Sequence, residues 1–330
     1  MDKFKVYRLR EVEKKVVAAF EQSSIDELDP GEVTVRVAYS CVNYKDALAA
    51  TGAGRIIRRF PCVGGIDLSG TVVESSDPRF KKGDAVIATS YDIGVAHDGG
   101  YGEYARVNAD WVVPMPKGMS LFDAMALGTA GFTAGLAVVR MEHAGLRPGN
   151  GPVAVTGATG GVGSIAIDIL AGLGHPVVAI TGKAQEVDYL KGIGAKDVTL
   201  RSSLDLAKIK PLDKTMWAGA VDNLGGDILA WLASTMQIGA PLASVGMAAS
   251  MSLNTTVAPF ILRGVSLLGV DSVNCPMAQR REVWQRLASD LRPRHLAQFT
   301  RTIAFDDLPK AFDDFISAKV RGRVVVDMAA

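Results

Sequence analysis

The sequence predicts an α/β fold in two parts, a β-rich module followed by a doubly wound parallel sheet. Three observations predict it. The chain has 330 residues, too many for one ordinary hydrophobic core and suited to two. Short β-branched runs separated by turn residues fill the stretch up to about residue 116. From about residue 150, strand-like apolar runs alternate with helical spacing around one glycine-rich turn.

Taken in order, 32–39, 70–74, 84–88 and 104–114 read as strands of the β module. The segment 77–84, Asp-Pro-Arg-Phe-Lys-Lys-Gly-Asp, is dense in turn formers and basic residues and reads as a solvated hairpin loop. Periodicity changes at Leu121, and 124–141 reads as a helix of small residues. The runs 153–156, 177–181, 197–200, 218–222 and 242–246 then read as strands with helices between them, which implies a parallel sheet covered on both faces. Helices near 279–291 and 306–318 and a strand at 323–327 close the chain. No repeat, heptad array or low-complexity segment interrupts this order.

Lysines and arginines number 36 against 35 acids, so general electrostatics give no reason to expect nucleic acid or an anionic membrane as partner. A small-molecule ligand is expected instead. The N-terminal residues lack the apolar core and cleavage site of a signal peptide. Cys41, Cys62 and Cys275 form neither a disulfide framework nor a zinc pattern, and a cytoplasmic location is expected. The apolar stretch 152–180 carries formal charge only at Asp168 and is broken by glycines, His175 and Pro176. It reads as a buried strand-helix-strand unit instead of a membrane span.

The strongest motif is Val155-Thr156-Gly157-Ala158-Thr159-Gly160-Gly161-Val162-Gly163, which follows a strand and opens a helix. Glycines there permit a tight turn and close backbone approach, so helix amides and dipole face a pyrophosphate. A Walker A loop is excluded because Ser164 and Ile165 follow Gly163. A short-chain dehydrogenase is excluded because Ile193 stands where a Tyr-x-x-x-Lys pair starting at Tyr189 would need lysine. The second strand ends Ile180-Thr181-Gly182-Lys183 with no acid for the adenosine ribose hydroxyls. A lysine and a hydroxyl suit a 2′-phosphate, which points to NADPH.

With Val42-Asn43-Tyr44-Lys45-Asp46-Ala47, Gly65-Ile66-Asp67-Leu68-Ser69-Gly70, Gly128-Thr129-Ala130-Gly131-Phe132-Thr133-Ala134 and Leu267-Leu268-Gly269-Val270-Asp271-Ser272, the chain resembles the medium-chain dehydrogenase/reductase superfamily along essentially its whole length. Within it, the chain is similar to the acryloyl-CoA reductase subfamily of the zinc-independent, quinone oxidoreductase-like members. The resemblance implies a GroES-like substrate domain from 1–122 and 296–330, a Rossmann NADPH-binding domain from 123–295, and a homodimer. It implies that Thr159, Gly160, Gly161 and Val162 line the pyrophosphate. Thr181, Gly182, Lys183 and Arg201 would take the adenosine phosphate, with lysine where related proteins carry arginine, and Met247, Ile261 and Ser272 the nicotinamide side.

Zinc enzymes of the superfamily need a cysteine near the first of these motifs and a His-Glu pair in the second. Here Asn43 and Ile66-Asp67 stand in those places, the cysteine-rich lobe is missing, and His97, His143, His175 and His295 read as surface or structural residues. No metal is implied. Hydride addition to a conjugated C=C does not demand one, so the resemblance implies reduction of a short 2-enoyl-CoA, acryloyl-CoA to propanoyl-CoA. A quinone or enone reductase of the same architecture is the alternative. Tyr44 is the candidate catalytic residue, a phenol able to hydrogen-bond a developing enolate, with contact to the cofactor ribose or simple packing as its other readings. Arg55, Arg58 and Arg59 read as a solvated basic loop, with contact to the phosphates of CoA as the alternative.

Overall fold

Largely buried runs in the first part of Phe4–Val12 and along Val33–Val42 begin the chain as sheet, and the computed structural model describes residues 3–330. In chain order the elements begin with β1 (Phe4–Val12), β2 (Lys15–Ser23), β3 (Val33–Val42), α1 (Tyr44–Thr51), β4 (Cys62–Val63), β5 (Asp67–Ser75), β6 (Ala85–Thr89), β7 (Tyr104–Val107), β8 (Val112–Pro114) and α2 (Leu121–His143). There follow β9 (Val153–Thr156), α3 (Gly161–Gly172), β10 (Val177–Thr181), α4 (Val187–Gly192), β11 (Asp197–Leu200), β12 (Gly219–Asp222), α5 (Gly226–Thr235) and β13 (Pro241–Ser244). The last are α6 (Ala258–Leu262), β14 (Ser266–Gly269), α7 (Met277–Leu287), β15 (Thr300–Ala304), α8 (Leu308–Ile316) and β16 (Arg323–Asp327).

The chain divides into two units. The first holds the residues up to Thr129 together with 273–288 and 300–330, and the second holds 130–272 and 289–299. The division therefore falls at Thr129/Ala130, not at 122/123, and the segment 273–288 joins the first unit although 123–295 was expected to be continuous in the second.

In the first unit a seven-stranded sheet runs β15-β16-β3-β5-β6-β8, with β7 pairing β3, beside a small sheet β2-β1-β4. Val33, Val35, Leu68, Val86, Val324 and Phe312 lie in its core. The expected run 104–114 is two strands, because a 3-10 turn over Ala109–Trp111 interrupts it, with Asn108 Oδ1 accepting from the Asp110 amide. The helix expected at 124–141 is present as α2 but is broken at Gly128 (φ 52°, ψ −155°). A side chain at Gly128 would stand 2.6–2.8 Å from Arg323 Nη2, Cys41 Sγ and Asp67 Oδ2, so only glycine fits. Among the described residues α2 alone is long and apolar enough to cross a membrane, and most of it is buried inside the protein.

The second unit is one parallel sheet in the order β11-β10-β9-β12-β13-β14. Counted within the unit, its strands run third, second, first, fourth, fifth, sixth, the doubly wound Rossmann order. Strand direction of travel reverses between β9 and β12, where such sheets bind ligands at the carboxyl ends of their strands.

Candidate active site

The nucleotide cradle is built where β9 stops. The chain turns through Gly157 (φ 57°) and enters α3 with Gly160 as its N-cap. A side chain at Gly163 would meet Gly157 O at 2.4 Å, so glycine there lets the helix sit directly on the turn. That approach leaves the first amides of α3 available to an anion. Ser164 Oγ donates to Ala158 O (3.2 Å) and receives the Tyr189 hydroxyl (2.7 Å), which fixes the first turn. Between β9 and the neighbouring strand β12, Thr156 Oγ1 donates to Asp222 Oδ1 (2.6 Å), Gly225 N donates to Asp222 Oδ2 (2.7 Å), and Asn223 Nδ2 donates to Thr156 O (2.7 Å). Burial raises the Asp222 carboxyl above its ordinary range, opposed by these bonds. A side chain at Gly246 would strike Asn223 O at 2.5 Å, and one at Gly225 would strike Ser250 O at 2.2 Å. The cradle floor is thus backbone.

One strand over, Thr181 ends β10 and is paired with Leu200 of β11. Its buried hydroxyl accepts from the Lys183 amide (3.0 Å). Arg201 follows β11 directly, and its Nη2 lies 3.9 Å from where a Gly182 Cβ would be. The structure therefore brings Thr159, Gly160, Gly161, Val162, Thr181, Gly182, Lys183 and Arg201 to the carboxyl ends of three adjacent strands. A backbone cradle with two cations beside it fits a dinucleotide whose adenosine ribose is phosphorylated. Met247 follows β13, Ile261 lies on α6, and Ser272 follows β14. Met247 and Ile261 are 64% and 72% exposed, and no bond joins them to the other eight.

Tyr44 belongs to the first unit, as the first residue of α1. Asn43 caps that helix in a capping box, its amide donating to Asp46 Oδ2 (2.8 Å). Its side chain bridges two groups, Nδ2 donating to Asp67 Oδ2 (2.8 Å) and Oδ1 accepting from Arg323 Nη1 (3.2 Å). Asp67 also accepts from the Thr129 amide (2.8 Å), Thr129 Oγ1 (2.5 Å) and Cys41 Sγ (3.1 Å). Arg323 donates further to Ala126 O (2.9 Å) and Cys41 Sγ (3.0 Å). Asn43, Asp46, Asp67 and Arg323 are all buried, whereas Tyr44 is 51% exposed. Burial and the neighbouring Asp67 push the Asp46 carboxyl up to about 7. Burial, reinforced by Asp67, raises the Cys41 thiol well above its usual value. Among the described residues no three His, Cys, Asp or Glu side chains converge as a metal-binding set.

Beside this network, Ser90 and Tyr91 both hold left-handed backbone (φ 66° and 51°), a strained state that clusters at functional sites. Buried Arg280 restrains them, donating to Thr89 Oγ1 (2.9 Å) and the Tyr91 hydroxyl (3.2 Å), with its guanidinium 4.4 Å above the Tyr91 ring. Ser90 Oγ lies 3.1 Å from Thr129 Oγ1. None of Asp46, Ser90, Arg280 or Arg323 was singled out from the sequence. The only available signal was a charge at the head of the apolar run Arg323-Val324-Val325-Val326.

The other expectations fall as follows. His97 bonds two backbone carbonyls, Asp98 O and Pro30 O, and His295 bonds the buried Asp168. His175 is buried and His143 exposed. Arg58 and Arg59 pair with Asp92 and Asp29, and Arg55 is exposed.

Residues 29–117 match the alcohol dehydrogenase GroES-like domain family, and 161–289 match the zinc-binding dehydrogenase family. The chain is 49% identical to the acrylyl-CoA reductase AcuI of Ruegeria pomeroyi, over 96% of each chain. The YhdH oxidoreductase of Salmonella enterica, solved in complex with NADP, superposes with a TM-score of 0.95 at 45% identity, covering 98% of this chain and 99% of that one. The Bacillus subtilis protein YhfP, solved with NAD bound, superposes with a TM-score of 0.97 at 46% identity, covering 99% of this chain and 100% of that one.

Proposed function

Since the chain belongs to the acryloyl-CoA reductase branch of the medium-chain dehydrogenase/reductase superfamily, we propose that it reduces the C=C bond of acryloyl-CoA to give propanoyl-CoA, with NADPH as reductant and without a metal. The observation that carries the substrate is the likeness to the Ruegeria reductase across 96% of both chains. Thr159, Gly160, Gly161 and Val162 would hold the pyrophosphate, with Thr181, Gly182, Lys183 and Arg201 around the ribose phosphate and Met247, Ile261 and Ser272 toward the nicotinamide. Bound there, NADPH supplies the hydride that adds to the β-carbon.

Negative charge then builds on the thioester oxygen, and the Tyr44 hydroxyl donates a hydrogen bond to it while a proton is delivered to the α-carbon. The hydroxyl makes no hydrogen bond to any described residue, so it is uncommitted. Metal independence is supported by the donor chemistry. Asn43 and Ile66 are poor cation ligands, and the Asp67 oxygens are engaged by Cys41, Asn43 and Thr129.

A homodimer in a reducing cytoplasm is part of the same reading. β14 ends the strand order with its outer edge unpaired among the described residues, while Val257, Ile261 and Leu262 are exposed on or next to α6. A second copy extending the sheet would cover both. All three cysteines are free.

The experiment compares acryloyl-CoA, crotonoyl-CoA and a quinone under identical conditions, following NADPH oxidation and identifying the product by mass. Acryloyl-CoA should be preferred, and Tyr44→Phe should lower kcat by about ten- to a thousandfold with NADPH binding unchanged. Activity with quinone but none with acryloyl-CoA overturns the substrate, and normal turnover of Tyr44→Phe removes the tyrosine's role.

A further inference from the structure

Tyr44 is half exposed and its hydroxyl has no partner among the described residues, so its own side chain does little to hold it. Its direction is set by the backbone at the start of α1, which is to say by Asn43. The amide of Asn43 points its nitrogen at two carboxylates, Asp46 Oδ2 (3.2 Å) and Asp67 Oδ2 (2.8 Å), and its oxygen at the guanidinium of Arg323 (3.2 Å). Antiparallel pairing of Val324 with Val42 brings Arg323 opposite Asn43, 280 residues away in sequence. The same guanidinium donates to Cys41 Sγ at the end of β3 and to Ala126 O in the first part of α2.

We infer that Arg323 is a positioning residue for the reaction, one that locks the Asn43 cap and so fixes the direction in which α1 presents Tyr44. The inference rests on the role proposed for Tyr44. Arg323 also supplies the positive charge bonded into a buried cluster that holds Asp46 and Asp67, so the two effects coincide in one side chain. A planar guanidinium reaches three acceptors on three segments at once. An ammonium at the same place would keep the charge and lose that fork. Gly128 belongs to the same arrangement, because any larger residue would displace Arg323 Nη2.

Two variants separate positioning from folding. Arg323→Lys keeps the charge. Asn43→Ser keeps a favoured helix-capping hydroxyl but cannot span from Arg323 to Asp67. Each is made with 3-fluorotyrosine at position 44, and the fluorine resonance is recorded without cofactor, next to a thermal melt and steady-state kinetics. The parent should show one narrow resonance, and both variants a broadened or split one. Displacing a reacting group by about an ångström costs on the order of a hundredfold, so kcat should fall about ten- to a hundredfold with KM for NADPH within about twofold.

Asn43→Ser added to Tyr44→Phe should cost less than about twofold more, since nothing remains to be positioned. A fluorine resonance unchanged in a folded Asn43→Ser protein overturns the inference, as does full additivity with Tyr44→Phe. Should Tyr44→Phe alone turn over normally, the proposed role of the tyrosine fails, and the fluorine signal still decides whether Arg323 positions it.

Discussion

At the scale of single residues, the most consequential group outside the cofactor cradle is Asp46. It is buried beside Asp67, and its carboxyl is pushed up to about 7. A carboxylic acid that binds its proton more tightly folded than unfolded adds stability in the protonated form. That contribution is complete below the unfolded value of about 4 and is lost as pH rises through the folded value. Unfolding free energy measured in urea should therefore decline between about pH 4 and pH 7 in the parent, and Asp46→Asn should flatten the decline even though it weakens the cap. Parallel pH profiles for the two proteins would contradict this. The adenosine end gives a second expectation. A charge-assisted phosphate contact is worth ~1.5–3 kcal/mol, so Lys183→Ala and Arg201→Ala should each raise the KM for NADPH by about ten- to a hundredfold and leave that for NADH nearly unchanged. Lys183 and its neighbours were legible in the sequence because the motif is local, a strand end and the turn after it. The meeting of Asp46 and Asp67 with Arg323 was not, because nothing along the chain announces that positions 43 and 323 face each other.

At the scale of elements, the glycines of the β9–α3 turn do different work despite being three residues apart. A side chain at Gly163 would meet Gly157 O at 2.4 Å and Ala158 Cα at 2.8 Å, whereas one at Gly160 has its nearest neighbour at 3.4 Å. Gly163→Ala should cost ~1–3 kcal/mol by overpacking. Gly160→Ala should leave the melting temperature nearly unchanged and still weaken NADPH binding, because it crowds the place of the pyrophosphate. Melts alongside fluorescence titration of NADPH separate these effects, and equal loss of stability in both variants would be the wrong result. The strands β9, β10, β12 and β13 of the second unit were legible because they are largely buried and read as apolar runs. β14, Ser-Leu-Leu-Gly, has no β-branched residue, and β15, Thr-Arg-Thr-Ile-Ala, carries a charge, so composition concealed both. Gly128 passed as a tolerated helical glycine because its break is imposed by Arg323, Cys41 and Asp67 from other elements.

At the scale of the whole molecule, two domains were legible from length and from the change in periodicity. Their borders were not, because the return of 273–288 to the first unit depends on pairings such as Arg280 with Thr89 and Tyr91, about 190 residues apart. That architecture has a kinetic consequence. The second unit is almost one continuous stretch, while the first is interrupted by it and is completed only when β16 supplies Arg323 to Asn43. Closing so long a loop lowers the folding rate, since high contact order is slow. In single-tryptophan proteins refolding from urea, Trp217 or Trp231, which lie in the core of the second unit, should report native fluorescence before Trp111 of the first unit does. Simultaneous or reversed recovery would refute that order. During synthesis the same logic means that a nascent chain exposes an ordered nucleotide fold well before its reductive chemistry can be assembled. The strand β16 that carries Arg323 is then among the last elements the first unit needs.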